Sequence, residues 1–257
     1  MSQRTHVDLK ALVQLDGVVL RLVEQQGAQA TRRTTDSLDE QAWLEDFLES
    51  SKPALPSAEE CAVRHRLLLT PFRYRKRHGS RFATRWERGL FYGSRSRFGC
   101  LLEGAYYELI FQNGPEQPFP RSTAMRKALF HVRVRTERGL KLQDHDGRRL
   151  QARLRDPVNN HFCQGIGRQM REAGIEAFEY HSARSVEDVV QVGAISCCVF
   201  SSTPFDQVEV QLEANEHEVS IRCLDDNTVH HFLRQQFEVN RELPQPTGSA
   251  TVSESQP

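Results

Sequence analysis

The chain has 257 residues, with 34 Lys+Arg balanced by 34 Asp+Glu and therefore no net charge. That length suits one large domain or one domain with an attached piece, and the even charge argues against non-specific nucleic-acid binding through the overall field, which usually needs a basic excess. Arginine far outnumbers lysine, and its planar fork suits phosphate and carboxylate where lysine acts as a point charge.

Residues 7–27 (VDLKALVQLDGVVLRLVEQQG) carry apolar side chains at helical spacing and end on a glycine suited to a C-cap, so a helix is expected. Residues 36–50 (DSLDEQAWLEDFLES) repeat that pattern behind a candidate N-cap at Asp36 or Ser37. Two prolines in SKPALPSAEE then break the helix. RLLLTPF and LFYGS are short apolar runs bounded by turn residues and read as strands. CLLEGAYYELIFQ reads as a helix, and ALFHVRVRT alternates as a half-buried strand does. NHFCQGIGRQMREAG is expected to be helical, IEAFEYHSA and AISCCVFS to be strands, and QVEVQLEANEHEVSIRCL to form a hairpin. The Gly-x-Gly of GIGRQM follows no strand and is not a dinucleotide fingerprint. From Pro244 the tail is rich in Pro, Ser and Thr, and disorder is expected.

This pattern predicts a mixed α+β chain. Its parts are a helical N-terminal extension and connector over 1–60, a main domain over 61–243 that includes the C-terminal β-hairpin, and a disordered tail over 244–257. The cysteines (Cys61, Cys100, Cys163, Cys197, Cys198 and Cys223) form no CxxC pair and no zinc-type spacing, so no metal site is expected. Cys197 and Cys198 read as small buried hydrophobes. With no long apolar segment at the start and no run of eighteen apolar residues, a reduced, cytoplasmic setting without a membrane span is expected.

The most unusual stretch is 79–103, GSRFATRWERGLFYGSRSRFGCLLE, where Arg81, Arg85, Arg88, Arg95 and Arg97 crowd among aromatic residues. Arg81 can clamp a phosphate, Tyr92 can stack on a planar ring, and Glu103 can face a developing cation from a helix. Each also has a plainer reading: a solvated arginine, a core tyrosine, a carboxylate on the wet side of an amphipathic helix.

The order of these pieces resembles the RES domain, named for its Arg, Glu and Ser. The family's arginine after a small-residue turn matches Arg81, its strand ending Leu-Tyr matches Phe91-Tyr92, and its helical glutamate matches Glu103. Ser182 and Arg184 of HSAR stand where the serine and its following arginine belong, and Arg73-Tyr74 match an upstream Arg-Tyr pair. The resemblance spans roughly residues 66–205. One departure is the loop after Ser182, where SVEDVVQVGAISCCVF lacks the family's Gly-Gly-x-Asn run.

The resemblance implies an ADP-ribosyltransferase-like fold and a toxin that destroys NAD by hydrolysis or phosphorolysis. It assigns catalysis to Glu103, Arg81, Tyr92 and Ser182, and substrate binding to Arg73, Tyr74, Arg81, Tyr92, Ser182 and Arg184. NAD would be substrate rather than bound cofactor, with inorganic phosphate as a co-substrate. A Xre-type helix-turn-helix antitoxin is the implied partner; a homodimer is compatible, and direct nucleic-acid binding is not expected. Two other readings stay open: transfer of ADP-ribose to a protein target, and a non-catalytic module that binds a nucleotide or RNA through the arginine-aromatic strip.

Overall fold

The computed structural model describes residues 6–24, 37–114 and 123–245. These residues form a mixed α+β fold built on one eight-stranded sheet, as expected of the class. Chain order is β1 (Val13–Glu24), α1 (Leu38–Ser50), α2 (Arg66–Arg73), β2 (Phe91–Ser94), α3 (Arg97–Gln112), β3 (Thr123–Lys141), α4 (Arg148–Leu154) and α5 (His161–Glu172). Strands β4 (Ala177–His181), β5 (Val190–Ala194), β6 (Phe205–Ala214), β7 (Glu218–Cys223) and β8 (Val229–Leu233) follow.

The strands lie in the order β1-β2-β5-β4-β3-β6-β7-β8, and β1 also pairs with β3. The first five therefore close into a ring, and the last three continue from the far edge of β3 as a meander. Only β3–β4 is parallel; their connection runs through α4 and α5, as a parallel pair requires.

Four expectations change. Residues 13–24 are a strand, not a helix: β1 runs antiparallel to β3 from Val13↔Gly139 to Glu24↔Lys127, so of the expected N-terminal helical extension the described residues keep only α1. Strand pairing along the whole of β1 outweighs helical spacing, because Leu15, Val19 and Leu20 are buried against the sheet's neighbours. RLLLTPF is a helix, burying Leu68, Leu69 and Phe72 on one face. AISCCVFS is not a strand; the strand is Val190–Ala194, and Ser196 then caps a short 3-10 turn at Cys197–Val199. Cys61 and Cys197 are joined in a disulfide, which ties the connector to that turn, while Cys198 is exposed.

The other elements match. Helix α3 buries Leu101, Leu102, Ala105, Tyr106 and Leu109, the repeat of one helical face, against β6 and β7. Burial of each large side chain is worth roughly 1.5–3 kcal/mol. Ser96 caps its start by accepting from the Gly99 amide at 3.1 Å. The expected hairpin is β6–β7, turned at Asn215, whose Oδ1 accepts from the His217 and Glu218 amides. Most of the expected tail lies outside the described residues; Pro244 itself is buried, and its carbonyl accepts from the Tyr106 hydroxyl. No helix among the described residues is long and apolar enough to cross a membrane.

Candidate active site

A cavity of about 760 Å³ opens between the ring of strands and α3, within the size range of small-ligand sites. Its wall takes Arg21 from β1, Tyr92 from β2, Glu103 and Tyr107 from α3, Tyr180 from β4, the loop from Tyr74 to Arg81, and Arg184 beyond β4. Glu103 and Tyr107 are four apart and so share one helical face, beside the face that packs on the sheet. Gly104 lets that face approach β1: a Cβ there would meet Leu22 Cδ2 at 2.5 Å.

Glu103 is half-buried, and its Oε1 accepts from the Ser182 hydroxyl at 2.6 Å. Ser182 is fully buried, and its Oγ accepts from the Arg184 amide at 3.0 Å. That amide fixes the rotor of the serine, and the serine fixes the carboxylate. Ser182 is not among the residues that line the cavity, and its hydroxyl is taken up by the bond to Glu103. Arg184 stacks over the Tyr106 ring at 3.7 Å and donates to the Pro157 carbonyl.

Tyr92 is held by its hydroxyl, which bonds Ser80 Oγ at 2.9 Å and accepts from the Phe82 amide at 3.1 Å. Burial pushes its phenol up to about 12, so the ring stays neutral. Arg81 lines the cavity, but its guanidinium donates to the carbonyls of Leu154 and Asp156 and to Asn160 Oδ1, stitching the end of α4 to the loop before α5. Tyr74 lines the cavity; Arg73 does not. The Arg73 guanidinium turns away to Glu49 Oε1 at 2.6 Å and to the Pro53 carbonyl, and it is 7% exposed, so its assignment to substrate binding is corrected to anchoring α1 on α2.

The loop after Ser182 is fixed despite lacking the family's Asn. Arg155 donates to the carbonyls of Ser185, Val186 and Glu187 and pairs with Asp188 at 2.7 Å. The Ser182 amide donates to the Val189 carbonyl at 2.8 Å, closing the loop at its base.

A family model for the RES domain matches residues 57–219, more than half of the chain. The chain belongs to the RES domain family. No curated protein matches it. In this RES domain Arg81, Tyr92, Glu103 and Arg184, far apart in sequence, reach one cavity, and Ser182 bonds to Glu103.

Sequence reasoning missed several cavity residues of this RES domain. Arg21 was hidden by the helical reading of its segment, and Lys76 and Arg77 carry no motif. Tyr107 had a signal, its spacing of four from Glu103. Six cationic residues (Arg21, Lys76, Arg77, Arg81, Lys127 and Arg184) line the cavity against two carboxylates, Glu24 and Glu103. A chain of zero net charge thus concentrates positive charge in one place, which favours an anionic ligand.

Proposed function

We propose that the protein cleaves the nicotinamide–ribose bond of NAD. The observation that carries this reading is Glu103, a carboxylate on the wall of a cationic cavity, fixed through a 2.6 Å bond from the buried Ser182. When the bond from the ribose carbon to nicotinamide breaks, its electron pair goes to the ring nitrogen and nicotinamide leaves neutral. Positive charge then builds on the ribose, as in other glycosidic cleavages. A carboxylate already oriented for that charge stabilises the transition state without reorganising. Water, or inorganic phosphate, forms the new bond to the same carbon, giving ADP-ribose or its phosphate ester; the proton of the attacking water passes to solvent. Because nicotinamide departs neutral, no general acid is required at the leaving group.

In this reading Tyr92 packs against the nicotinamide or the ribose that joins it to the diphosphate, and the cationic wall holds the diphosphate. NAD is the substrate, and a cytoplasmic setting belongs to this reading, with the Cys61–Cys197 disulfide as the feature that departs from a reduced compartment. Such an enzyme damages its own host unless restrained, which calls for an inhibitory partner; a Xre-type antitoxin that covers the cavity fits that need.

The test is the NAD concentration over time with purified protein, wild type beside Glu103→Gln, with and without inorganic phosphate. Wild type is expected to consume NAD and Glu103→Gln to lose at least a hundredfold in rate while melting at the same temperature. Dependence on phosphate identifies phosphorolysis. Near wild-type turnover in Glu103→Gln would end the assignment, and NAD loss only with added protein, which becomes modified, would replace it with ADP-ribose transfer.

A further inference from the structure

The two arginines expected to hold phosphate have other duties. Arg73 is outside the cavity, paired with Glu49, and three contacts fix the Arg81 guanidinium to Leu154, Asp156 and Asn160. Two other cations on the cavity wall make fewer contacts than Arg81, whose Nε is buried without a partner among the described residues. Arg21 donates from Nη1 to the Tyr92 carbonyl at 3.1 Å and lies over the Phe91 ring at 4.6 Å, yet no carboxylate pairs with it and its buried Nε has no partner among the described residues. Lys76 Nζ lies 5.6 Å from the centroid of the Tyr92 ring, with no ion pair or hydrogen bond among the described residues. Both therefore touch Tyr92, Arg21 at its backbone and Lys76 at its ring.

Their environment disfavours this arrangement without an anion. Burial lowers the Arg21 pKa to about 10. Lys76 is also lowered, first by desolvation around its ammonium, although the residue as a whole is exposed, and then by the charge of Arg21. The two cations repel each other, Arg21 Nε is buried without a partner among the described residues, and an anion between them offsets both effects. Lys127, by contrast, is already neutralised by Glu108 at 3.0 Å.

We infer that Arg21 and Lys76 form an anion subsite beside Tyr92 that takes the diphosphate of the dinucleotide substrate. The name of the ligand rests on the NAD reading; the subsite itself is a place for phosphate oxygens, with a guanidinium fork on one side and an ammonium on the other. Arg21 lies on β1, outside the residues 57–219 matched by the family model, so this wall of the cavity is contributed by the N-terminal strand.

The experiment is calorimetric titration of the full chain with ADP, which carries a diphosphate and no bond to nicotinamide, with adenosine and inorganic phosphate as parallel probes. Lys76→Met and Arg21→Met are each expected to weaken ADP at least tenfold and to leave adenosine unchanged. Lys76 is on an exposed loop, so its variant decides the matter if Arg21→Met does not fold. ADP affinity within twofold of wild type in Lys76→Met would overturn the subsite. Inorganic phosphate binding as tightly as ADP, and weakened equally by both variants, would reassign the locus to a free anion and overturn the diphosphate assignment. None of these readings needs turnover: a protein that binds ADP through Arg21 and Lys76 but leaves NAD intact upholds the subsite and refutes the enzyme.

Discussion

In the proposed NAD reaction, Ser182→Ala tests how far turnover depends on a side chain that holds Glu103 and does not line the cavity. The change removes the donor of the 2.6 Å bond to Glu103 and the acceptor of the Arg184 amide at 3.0 Å. A hydrogen bond to a charged group contributes about 1.5–3 kcal/mol. With tenfold in rate for every ~1.4 kcal/mol, losing that orientation of Glu103 lowers kcat by about 10- to 150-fold if the whole of it is felt in the transition state. KM should change less than kcat, because of the six cations on the cavity wall only Arg184 loses a contact, that of its amide to Ser182. The orphaned Arg184 amide costs about 1–3 kcal/mol of stability, or roughly 2–12 °C in Tm for a domain of this size, which leaves a folded protein. The assay is steady-state NAD loss at a temperature well below both melting points, with kcat and KM separated. A purely structural serine would lower Tm and spare kcat. Turnover within twofold of wild type at saturating NAD would refute the reasoning that Ser182 positions Glu103.

Three further expectations concern the frame that carries the site. A chain beginning at residue 57 keeps all of the matched family region but loses β1, and with it the burial of Leu15, Val19 and Leu20. At about 1.5–3 kcal/mol each these approach the whole stability of a typical domain, about 5–15 kcal/mol, so circular dichroism should show no cooperative melt; a normal melt would contradict the ring of strands. Gly167→Ala in α5 would place a Cβ 1.9 Å from the Phe82 carbonyl oxygen, beside Arg81, so α5 must move; both Tm and NAD turnover should fall, and an unchanged pair would mean that the helix does not sit there. Glu49 is held below the usual carboxylate range, chiefly by Arg73 and then by Lys52 and Arg66. A carboxyl with a depressed folded pKa contributes stability that is present above its unfolded value, about 4.3, and lost as pH falls through the folded one. The fluorescence of Trp43, with Trp86→Phe as background, should therefore report loosening of α1 only below about pH 4, and Glu49→Gln should remove that dependence. Equal loosening between pH 6 and 8 would contradict it.

What the sequence revealed depended on whether one periodicity excluded the other. Helix α3 was legible because Leu101, Leu102, Ala105, Tyr106 and Leu109 fit only a helical face, and β6–β7 because polar and apolar residues alternate across a turn. β1 was not, since a strand joined to β3 along its length and covered in part on both faces loses its clean alternation. Its apolar residues at 15, 18, 19 and 22 satisfy a helix equally well. In α2 the helical signal was present as Leu68, Leu69 and Phe72, but eight residues containing Pro71 are short enough to pass for a strand. The Cys61–Cys197 pairing spans 136 positions, and no spacing rule predicts it.

The arginine-rich strip illustrates the limit best. Its density suggested one wall of a binding site, yet its arginines diverge. Arg85 lies over Trp86, Arg88 pairs with Glu60, Arg95 with the buried Glu179, and Arg97 with Asp225 and Asp226 on the β7–β8 turn. Only Arg81 among the five reaches the cavity. The other cations of the cavity come from four separate places: Arg21 from β1, Lys76 and Arg77 from the loop after α2, Lys127 from β3 and Arg184 from the segment after β4. Charge density along a chain records which residues are neighbours in sequence, whereas a site depends on which side chains converge, and convergence here is imposed by strand pairing. That is why the residues recovered from sequence were those carried by a family pattern, whose spacing already encodes the fold, and why Arg21 became visible only once β1 was seen to lie between β2 and β3.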